Sequence, residues 1–327
     1  MAYLVTGGMG YIGSRIVRDL MNSGKEVVCL DSAGITPLAA EVIGKEGLEK
    51  VKIITGDVSN TVPFFHVIWE HGIDLIIHTA YIMTRRSDLE PEYALRVNCM
   101  GMINVLEAVR LFGLKRVVGT SAMAAVGHVR DLYREPIGDD DAIYMPDSMY
   151  GATKVLNEYM VKLYFEKFGV DSIGLRLPRV IGVPFDISQP QGVVGKFSEF
   201  SRKAALNIPV TIKGPDFVTS YIYVDDVADA HVKACDVPTT KTRVFNACEG
   251  EYSNQQLVDI IRKVNPETQV RLEEGINSLT RSVDYRVPTM DTTGIRTEFG
   301  WQPKHSLEEA LRKIFNYFRR QAGMALL

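Results

Sequence analysis

The sequence V-T-G-G-M-G-Y-I-G-S at residues 5–14 constrains the fold of this chain more than any other feature. Gly7, Gly10 and Gly13 form a G-x-x-G-x-x-G set between a strand-like apolar run and an amphipathic helical stretch that ends near residue 22. The first glycine permits a tight turn, the second lets a pyrophosphate approach the backbone, and the third lets the helix pack on the strand. The helix N-terminus then offers N–H groups to phosphates. The residues predicted to hold a dinucleotide here are Gly7, Gly10, Tyr11, Ile12 and Gly13.

Strand-like runs and helical stretches alternate through the first half of the chain. The further strand-like runs are at 26–30, 51–55, 74–78, 115–119 and 170–177, and the longest helical stretches are at 91–112 and 149–168. Short apolar strands separated by helices indicate a parallel sheet covered on both faces. We therefore predict an α/β fold, with a doubly wound Rossmann domain at 1–178. Beyond it, shorter elements rich in proline and glycine predict a smaller α/β substrate-binding lobe at 179–327, from which residues 242–246 return to the sheet.

Asp31 ends the second predicted strand, where a carboxylate can accept hydrogen bonds from both hydroxyls of an adenosine ribose. The same carboxylate repels a 2′-phosphate, and residues 32–40 contain no lysine or arginine to bind one. The sequence therefore predicts NAD, not NADP, as the cofactor. The alternative is an exposed aspartate at a strand end with no ligand. Pro178, after the strand at 170–177, is also assigned to the cofactor site.

Other residues that follow strands are predicted to contact the cofactor. Asp57 is placed to accept from the adenine amino group, and Val58 to pack on the ring. Thr79 and Ala80 follow the fourth strand, where small side chains let the nicotinamide ribose approach. Asn98 lies inside the long helical stretch; it either contacts the cofactor or bridges backbone groups, because asparagine is a weak helix former.

Tyr150 and Lys154 are four residues apart and so share one face of the predicted helix at 149–168. An enzyme that removes hydride from an alcohol must also remove the hydroxyl proton. A free tyrosine, with a pKa of about 10, is a poor base near neutral pH. A nearby ammonium and a nicotinium charge both favour tyrosinate, and this lowers the pKa. We predict Tyr150 as acid/base and Lys154 as its partner; the alternative is a surface pair on an amphipathic helix. Both residues are also assigned to the cofactor site, where Lys154 can hydrogen-bond the nicotinamide ribose.

Together these motifs resemble the extended short-chain dehydrogenases/reductases, the group of NAD-dependent epimerases, dehydratases and related dehydrogenases. The resemblance covers nearly the whole chain. It rests on TGGMGYIGS, Asp31, G-D-V at 56–58, Y-G-A-T-K at 150–154 and V-D-D-V-A-D-A at 224–230. It implies a Rossmann sheet with a small C-terminal lobe, and a homodimer formed through the helices at 91–112 and 149–168.

The chain departs from this family at a serine or threonine that usually lies five residues before a glycine. Counting back from Gly127 gives Ala122. Ser121 is one residue short, and neighbours in an extended segment point in opposite directions. The missing hydroxyl is therefore predicted to come from Ser121 or from Thr84, which follows the fourth strand. The alternative for Ser121 is a hydroxyl bonded to its own backbone.

The residue types near the reacting centre also indicate the reaction and the substrate. Met123 stands where dehydratases of the family carry an acid, so acid-assisted elimination is not expected. Arg179 replaces the asparagine that sugar-nucleotide enzymes commonly carry after the sixth strand. This arginine can bind a phosphate or carboxylate, or can pair with a nearby aspartate. Arg281 and Arg286 have the same two interpretations, and Arg286 is assigned to the substrate with Arg179 and Thr84.

Composition excludes several other classes of protein. The formal net charge is -3 with no basic stripe, so no nucleic acid is expected as a partner. The 4 cysteines form no C-x-x-C pair and the 6 histidines are scattered, so neither disulfides nor a metal site is expected. The apolar runs are of strand length, which predicts no membrane span. The N-terminus runs directly into a strand, so we expect no signal peptide and a cytoplasmic location.

The leading functional prediction is an NAD-dependent oxidoreductase that acts on a secondary alcohol or ketone of a small polar substrate. This substrate is a sugar, a sugar acid, or a hydroxy or amino acid. An alternative is a nucleotide-sugar 4-epimerase, suggested by TGGMGYIGS and opposed by Ala122 and Arg179. A third hypothesis, from another class, is a non-catalytic NAD-binding sensor or scaffold; Ala122 favours it, whereas Tyr150 and Lys154 oppose it.

Overall fold

The computed structural model describes residues 1–127, 136–184, 193–275 and 288–327. The strands are β1 (Ala2–Thr6), β2 (Glu26–Asp31), β3 (Lys52–Thr55), β4 (Ile73–His78), β5 (Arg116–Ala122), β6 (Ser172–Leu177), β7 (Arg179–Ile181), β8 (Val210–Lys213), β9 (Val218–Tyr223), β10 (Val244–Asn246), β11 (Gly250–Ser253) and β12 (Val270–Glu273). The α-helices are α1 (Gly13–Asn22), α2 (Pro37–Ile43), α3 (Lys45–Lys50), α4 (Thr61–Glu70), α5 (Thr84–Leu89), α6 (Pro91–Leu95), α7 (Gly101–Phe112), α8 (Met149–Phe168), α9 (Val193–Ala205), α10 (Val224–Asp236), α11 (Asn254–Val264), α12 (Thr293–Phe299) and α13 (Leu307–Gln321).

A 7-stranded sheet forms the centre of the molecule, in the order β10-β6-β5-β4-β1-β2-β3, and all its strands pair in parallel. Because β4 lies on the far side of β1 from β3, the strand order reverses beside β1, which is the place where Rossmann sheets bind dinucleotides. The end of β1 is level with those of its neighbours, since Thr6 pairs with Leu30 and with His78. The predicted Rossmann fold is confirmed.

The sheet is covered on both faces, and each face has its own core. Helices α1 and α10 cover one face, where Ile16, Val17 and Val227 are fully buried. Helices α4, α7 and α8 cover the other, with Val105 and Leu106 among their buried residues. Burial on both faces explains why these strands are continuous apolar runs with no polar alternation.

Residues after β6 build two smaller sheets and also contribute one strand to the large one. The first small sheet has the order β11-β9-β7, and the second pairs β12 with β8 in parallel. Helices α9, α11 and α13 pack on these strands around a separate core that includes Phe200, Ile261 and Phe315. Strand β10 returns to the large sheet, where Val244 pairs with Gly174, as predicted for residues 242–246.

The structure refines several predicted boundaries. Helix α8 spans the predicted residues 149–168, because the Ser148 side chain caps its first turn and Gly169, at φ 67°, ends it. The stretch predicted as one helix at 91–112 is interrupted by a π-helical turn at Arg96–Met100, which contains Asn98. Strand β5 extends three residues beyond its predicted end at 119, to Ala122. No described helix is long and apolar enough to cross a membrane.

Candidate active site

The turn between β1 and α1 has a backbone that only glycine fits. Gly7 has a φ of +70°, and a Cβ added to it would lie 2.8 Å from the backbone nitrogen of Ala80. A Cβ on Gly13 would collide with the carbonyl oxygen of Gly7. The Gly10 N–H donates to that same oxygen at 3.0 Å, which closes the turn. Within the first turn of α1 the Ser14 N–H donates to the Gly10 carbonyl at 3.0 Å and the Arg15 N–H to the Ile12 carbonyl at 3.1 Å. The positive end of the helix dipole points at the glycine turn, so the turn and helix together fit a pyrophosphate.

Asp31, at the end of β2, lies beside this turn. Its Oδ2 accepts from the Met9 N–H at 3.0 Å and its Oδ1 from the Ala33 N–H at 2.9 Å. A carboxylate oxygen accepts more than one hydrogen bond, so both oxygens retain capacity for ribose hydroxyls. In the described parts of the chain no lysine or arginine forms an ion pair with Asp31. This environment fits the adenosine ribose of NAD.

The residues predicted to contact the cofactor after β3, β4 and β6 lie in different surroundings. Thr79 Oγ1 donates to the Thr6 carbonyl at 2.8 Å, and the backbone of Ala80 lies against Gly7, so this segment borders the phosphate turn. Asp57 Oδ1 accepts from the N–H and hydroxyl of Ser59, which leaves Oδ2 with no protein donor among the described residues. Pro178 is half-buried between β6 and β7.

Two predicted cofactor contacts require correction. The Val58 side chain is 3% exposed and belongs to the core between the sheet and α7, so it does not present a surface to adenine. The Asn98 amide exchanges hydrogen bonds of 2.7 and 3.0 Å with the backbone of Ile82 and also donates to Thr153 Oγ1. Asn98 therefore bridges backbone groups, which was the alternative interpretation, and it anchors the segment that follows β4.

Tyr150 and Lys154 lie on the buried face of α8, one turn apart. Lys154 is fully buried, and its Nζ donates to the Thr120 carbonyl at 2.6 Å and lies 5.4 Å from the centre of the Tyr150 ring. Burial raises the pKa of Tyr150 and lowers the pKa of Lys154 well below its ordinary value. Desolvation is the cause of the raised Tyr150 pKa, so the lowering expected from Lys154 is not observed in this structure. The pair itself is buried and adjacent, not on the surface.

Ser121 is bonded to a buried carboxylate that was not predicted as part of the site. Its Oγ donates to Glu158 Oε1 at 2.5 Å, so the hydroxyl is not bonded to its own backbone. Glu158 also accepts from the Tyr144 hydroxyl at 2.7 Å and from Arg176 Nη2 at 2.8 Å. Burial alone raises the pKa of Glu158, but the Arg176 guanidinium and the two hydroxyls hold that pKa below its ordinary value.

The Glu158 cluster, consisting of Glu158, Arg176, Ser121 and Tyr144, fixes α8 to the sheet. Arg176 Nη1 continues the network to Asn246 Oδ1 at 2.7 Å, so β5, β6, β10 and α8 are joined through one buried ion pair. The sequence did contain a signal for Glu158. It lies four residues after Lys154 and eight after Tyr150, and so falls on the same helical face.

Arg179 is placed where a substrate anion could be bound. It begins β7 beside β9, and its guanidinium lies 5.5 Å from the centre of the Tyr221 ring, with Nη1 3.4 Å from the Tyr221 hydroxyl. Within the described ranges no carboxylate forms an ion pair with it, which argues against the aspartate-partner interpretation. Arg281 and Arg286 lie outside the described residues. Of Thr84, only the backbone, at the start of α5, is described.

All 4 cysteines are buried free thiols. No group of three or more potential metal ligands occurs in the part of the chain that the structure describes.

Comparison with known proteins identifies the family. Residues 3–248 match the model of the NAD dependent epimerase/dehydratase family. The chain belongs to this family. The resemblance stated from the motifs is thereby confirmed, as are the enzymatic nature of the protein and NAD as its cofactor.

Full-length relatives support the same conclusion. UDP-glucose 4-epimerase of Mycolicibacterium smegmatis is 30% identical over 325 residues, which is 98% of this chain and 100% of the relative. The crystal structure of the Thermotoga maritima UDP-glucose 4-epimerase with UDP-glucose superposes with a TM-score of 0.81 at 26% identity, covering 98% of this chain and 100% of that one. The Clostridium difficile L-threonine dehydrogenase has a TM-score of 0.84 at 23% identity, covering 98% of each chain, and shows the shared fold.

Proposed function

We propose that this enzyme is an NAD-dependent dehydrogenase that oxidises a secondary alcohol on a small substrate that also carries a carboxylate or phosphate. The observation that carries the proposal is Arg179. This half-buried guanidinium lies next to the Tyr221 ring and has no carboxylate partner in the described ranges, so it is available to an anion. A planar guanidinium suits bidentate binding of carboxylate or phosphate oxygens.

The protein residues divide the chemistry among them. NAD, when bound, supplies the hydride acceptor, and the glycine turn and Asp31 hold its pyrophosphate and ribose. Tyr150 accepts the proton of the substrate hydroxyl, and Lys154 stabilises the tyrosinate by its charge. We assign the substrate-oxygen contact to Thr84, because Ala122 has no hydroxyl and the Ser121 hydroxyl is bonded to Glu158.

A screen for NADH formation tests this proposal directly. Purified enzyme with NAD is offered hydroxy acids, amino acids with a hydroxyl group, sugar acids and uncharged polyols. We expect turnover among the anionic substrates, and we expect Arg179→Gln to raise KM about 10- to 100-fold with a smaller change in kcat. Arg202→Gln, whose exposed side chain on α9 pairs with Glu199, serves as the control. An equal effect of Arg179→Gln on an uncharged substrate would refute the assignment.

The second candidate is a nucleotide-sugar 4-epimerase, favoured by the full-length match to the Mycolicibacterium smegmatis UDP-glucose 4-epimerase. The two reactions differ in the fate of the cofactor. An epimerase returns the hydride to its substrate and so has no need to release NADH, whereas a dehydrogenase must exchange it. Mass spectrometry of small molecules released from denatured, freshly purified protein distinguishes them. Near-stoichiometric NAD or NADH supports the epimerase, and its absence supports the dehydrogenase.

We also propose a homodimer formed through α6, α7 and α8. These helices and the π-helical turn between α6 and α7 expose large apolar side chains: Leu95, Met100, Leu111, Phe112, Leu156, Tyr159, Leu163 and Phe168. Exposed large apolar side chains on neighbouring helices are typical of an interface. Light scattering of the double variant Leu156→Glu/Leu163→Glu should show monomers. Trp69→Glu, on α4, is the control and should leave the dimer intact.

Two further assignments follow from the arrangement of the chain. We propose that residues 1–178 form the NAD-binding domain and that residues 179–327 form the substrate-binding lobe, with β10 returning to the large sheet. We propose a cytoplasmic location, because all 4 cysteines remain free thiols. Proteolysis with and without NAD tests the first proposal: protection confined to fragments from residues 1–178 supports it.

A further inference from the structure

The ammonium of Lys154 is enclosed between a carbonyl oxygen and an aromatic ring. Its Nζ donates to the Thr120 carbonyl at 2.6 Å, and it lies over the face of Tyr81, 2.8 Å from the ring centre. Lys154 is 0% exposed, so these contacts replace water. The face of an aromatic ring carries partial negative charge and attracts a cation, most strongly where water is excluded.

The surrounding residues explain why the Tyr81 ring occupies this place. Residue 119, which pairs with His78 across the sheet, is a glycine, and the Tyr81 hydroxyl lies 3.8 Å from where a Cβ on Gly119 would be. The ring of His78 packs edge-on against Tyr81 at a centroid distance of 4.6 Å. Asn98 fixes the backbone of the next residue, Ile82, from both its N–H and its carbonyl. The space beside Gly119, the packing of His78 and the fixed backbone of Ile82 together hold the Tyr81 ring next to Lys154.

We propose that Tyr81 is a positioning residue that holds the Lys154 ammonium in place through the face of its ring. The proposal rests on the proposed function in one respect only, because it takes Lys154 as the partner of Tyr150. No feature of the sequence singles out Tyr81, since it contributes no motif and lies after β4, a strand distant from α8 in the chain.

Few other groups around Lys154 favour its charged form. Glu158, on α8, attracts it but is itself ion-paired with Arg176. His78 on β4 and His231 on α10 are buried and neutral, because burial lowers their pKa values to about 3 and about 4. Among the described residues, the remaining groups that face it are Cys99, from the π-helical turn, and the ring of Tyr150, whose centre lies 5.4 Å from Nζ. The ring of Tyr81 and the Thr120 carbonyl are therefore the main direct stabilisers of the ammonium.

The test is a pH titration of the Lys154 side chain by NMR in protein labelled at lysine Cε, with the resonance assigned by Lys154→Met. Tyr81→Phe keeps the ring face, and we expect it to titrate like the parent protein. Pentafluorophenylalanine at position 81 has nearly the same shape but a reversed ring charge distribution. It should raise the acid dissociation constant of Lys154 roughly thirtyfold, as expected for a desolvated cation–π contact.

Tyr81→Leu, which removes the ring, should change the dissociation constant in the same direction as the fluorinated ring does. A Lys154 titration that is unchanged, or shifted towards higher pH, in the fluorinated protein would overturn the proposal. If Tyr81→Leu does not fold, the comparison of phenylalanine with its fluorinated form still decides the question. No substrate is used, so failure here is distinct from failure of the proposed dehydrogenase activity.

A second readout connects the ring to the cofactor. Calorimetric titration of the parent protein, Tyr81→Phe and the fluorinated protein with NAD measures whether the ammonium is held where the cofactor needs it. We expect unchanged affinity for Tyr81→Phe and about tenfold weaker binding for the fluorinated ring. Equal NAD affinity in all three proteins, together with an unchanged Lys154 titration, would show that Tyr81 only fills space.

Discussion

Replacing Ser121 by alanine separates a structural from a catalytic role for this residue. The sequence pointed to catalysis, whereas the structure bonds the hydroxyl to Glu158 Oε1 at 2.5 Å inside the Glu158 cluster. A hydrogen bond to a buried charged group contributes about 1.5–3 kcal/mol. Glu158 keeps the Tyr144 hydroxyl and both Arg176 donors in the variant, so the carboxylate is not left unpaired. We therefore expect a loss of about 2 kcal/mol in the free energy of unfolding, with kcat unchanged.

The matched control is Ser172→Ala. Ser172 is also a fully buried serine in the sheet, but its hydroxyl donates to the neutral carbonyls of Val161 and Val170. A neutral hydrogen bond contributes about 1 kcal/mol, so this variant should lose about half as much stability. Urea denaturation followed by circular dichroism measures both losses. Initial rates on whichever substrate the NADH screen identifies measure kcat.

The pH dependence of the same variant provides an independent check. The cluster holds the pKa of Glu158 below its ordinary value, so its contribution to stability is present above the unfolded pKa of about 4.3 and is lost as the pH falls through the folded pKa. Without the Ser121 hydroxyl the folded pKa rises, and acid unfolding should begin at higher pH. A variant with parental stability at every pH and a kcat reduced a hundredfold would refute this reasoning and make Ser121 catalytic.

Three other predictions follow from the site. Tyr150→Phe should lower kcat by about 10²–10⁴ while NAD affinity measured by calorimetry is retained; undiminished turnover would remove Tyr150 from the mechanism. Gly13→Ala should abolish NAD binding because its Cβ collides with the Gly7 carbonyl, whereas Gly174→Ala, whose Cβ comes no closer than 3.4 Å to Val244, should bind NAD normally. Burial raises the pKa of Asp139 from 3.8 to about 7, so the folded state holds a proton that the unfolded state has lost, and stability should fall as pH rises between these values. Asp139→Asn should flatten that part of the stability curve; an unchanged slope would contradict the assignment.

Much of the fold and cofactor site follows from local sequence. The glycine turn is set by steric collisions within a few residues, and the helix at 149–168 is delimited by the Ser148 cap and Gly169. Asp31 is predicted as a site residue because it ends a recognisable strand. Tyr150 and Lys154 are predicted as a pair because helical geometry places residues four apart on one face. Each of these features depends on periodicity or on contacts between near neighbours in the chain.

The tertiary structure alone decided which side chains from distant parts of the chain contact one another around the candidate site. Ser121 meets Glu158 across 37 positions of sequence, and Asn98 meets Thr153 across 55. Tyr81 reaches Lys154 only because β4 and β5 are neighbours in the sheet and residue 119 has no side chain. Burial likewise set the pKa values of Tyr150 and Lys154, since desolvation depends on every element packed around a group. Sequence patterns specify the elements and their faces. The packing of elements far apart in the chain determines which groups are buried together, away from water.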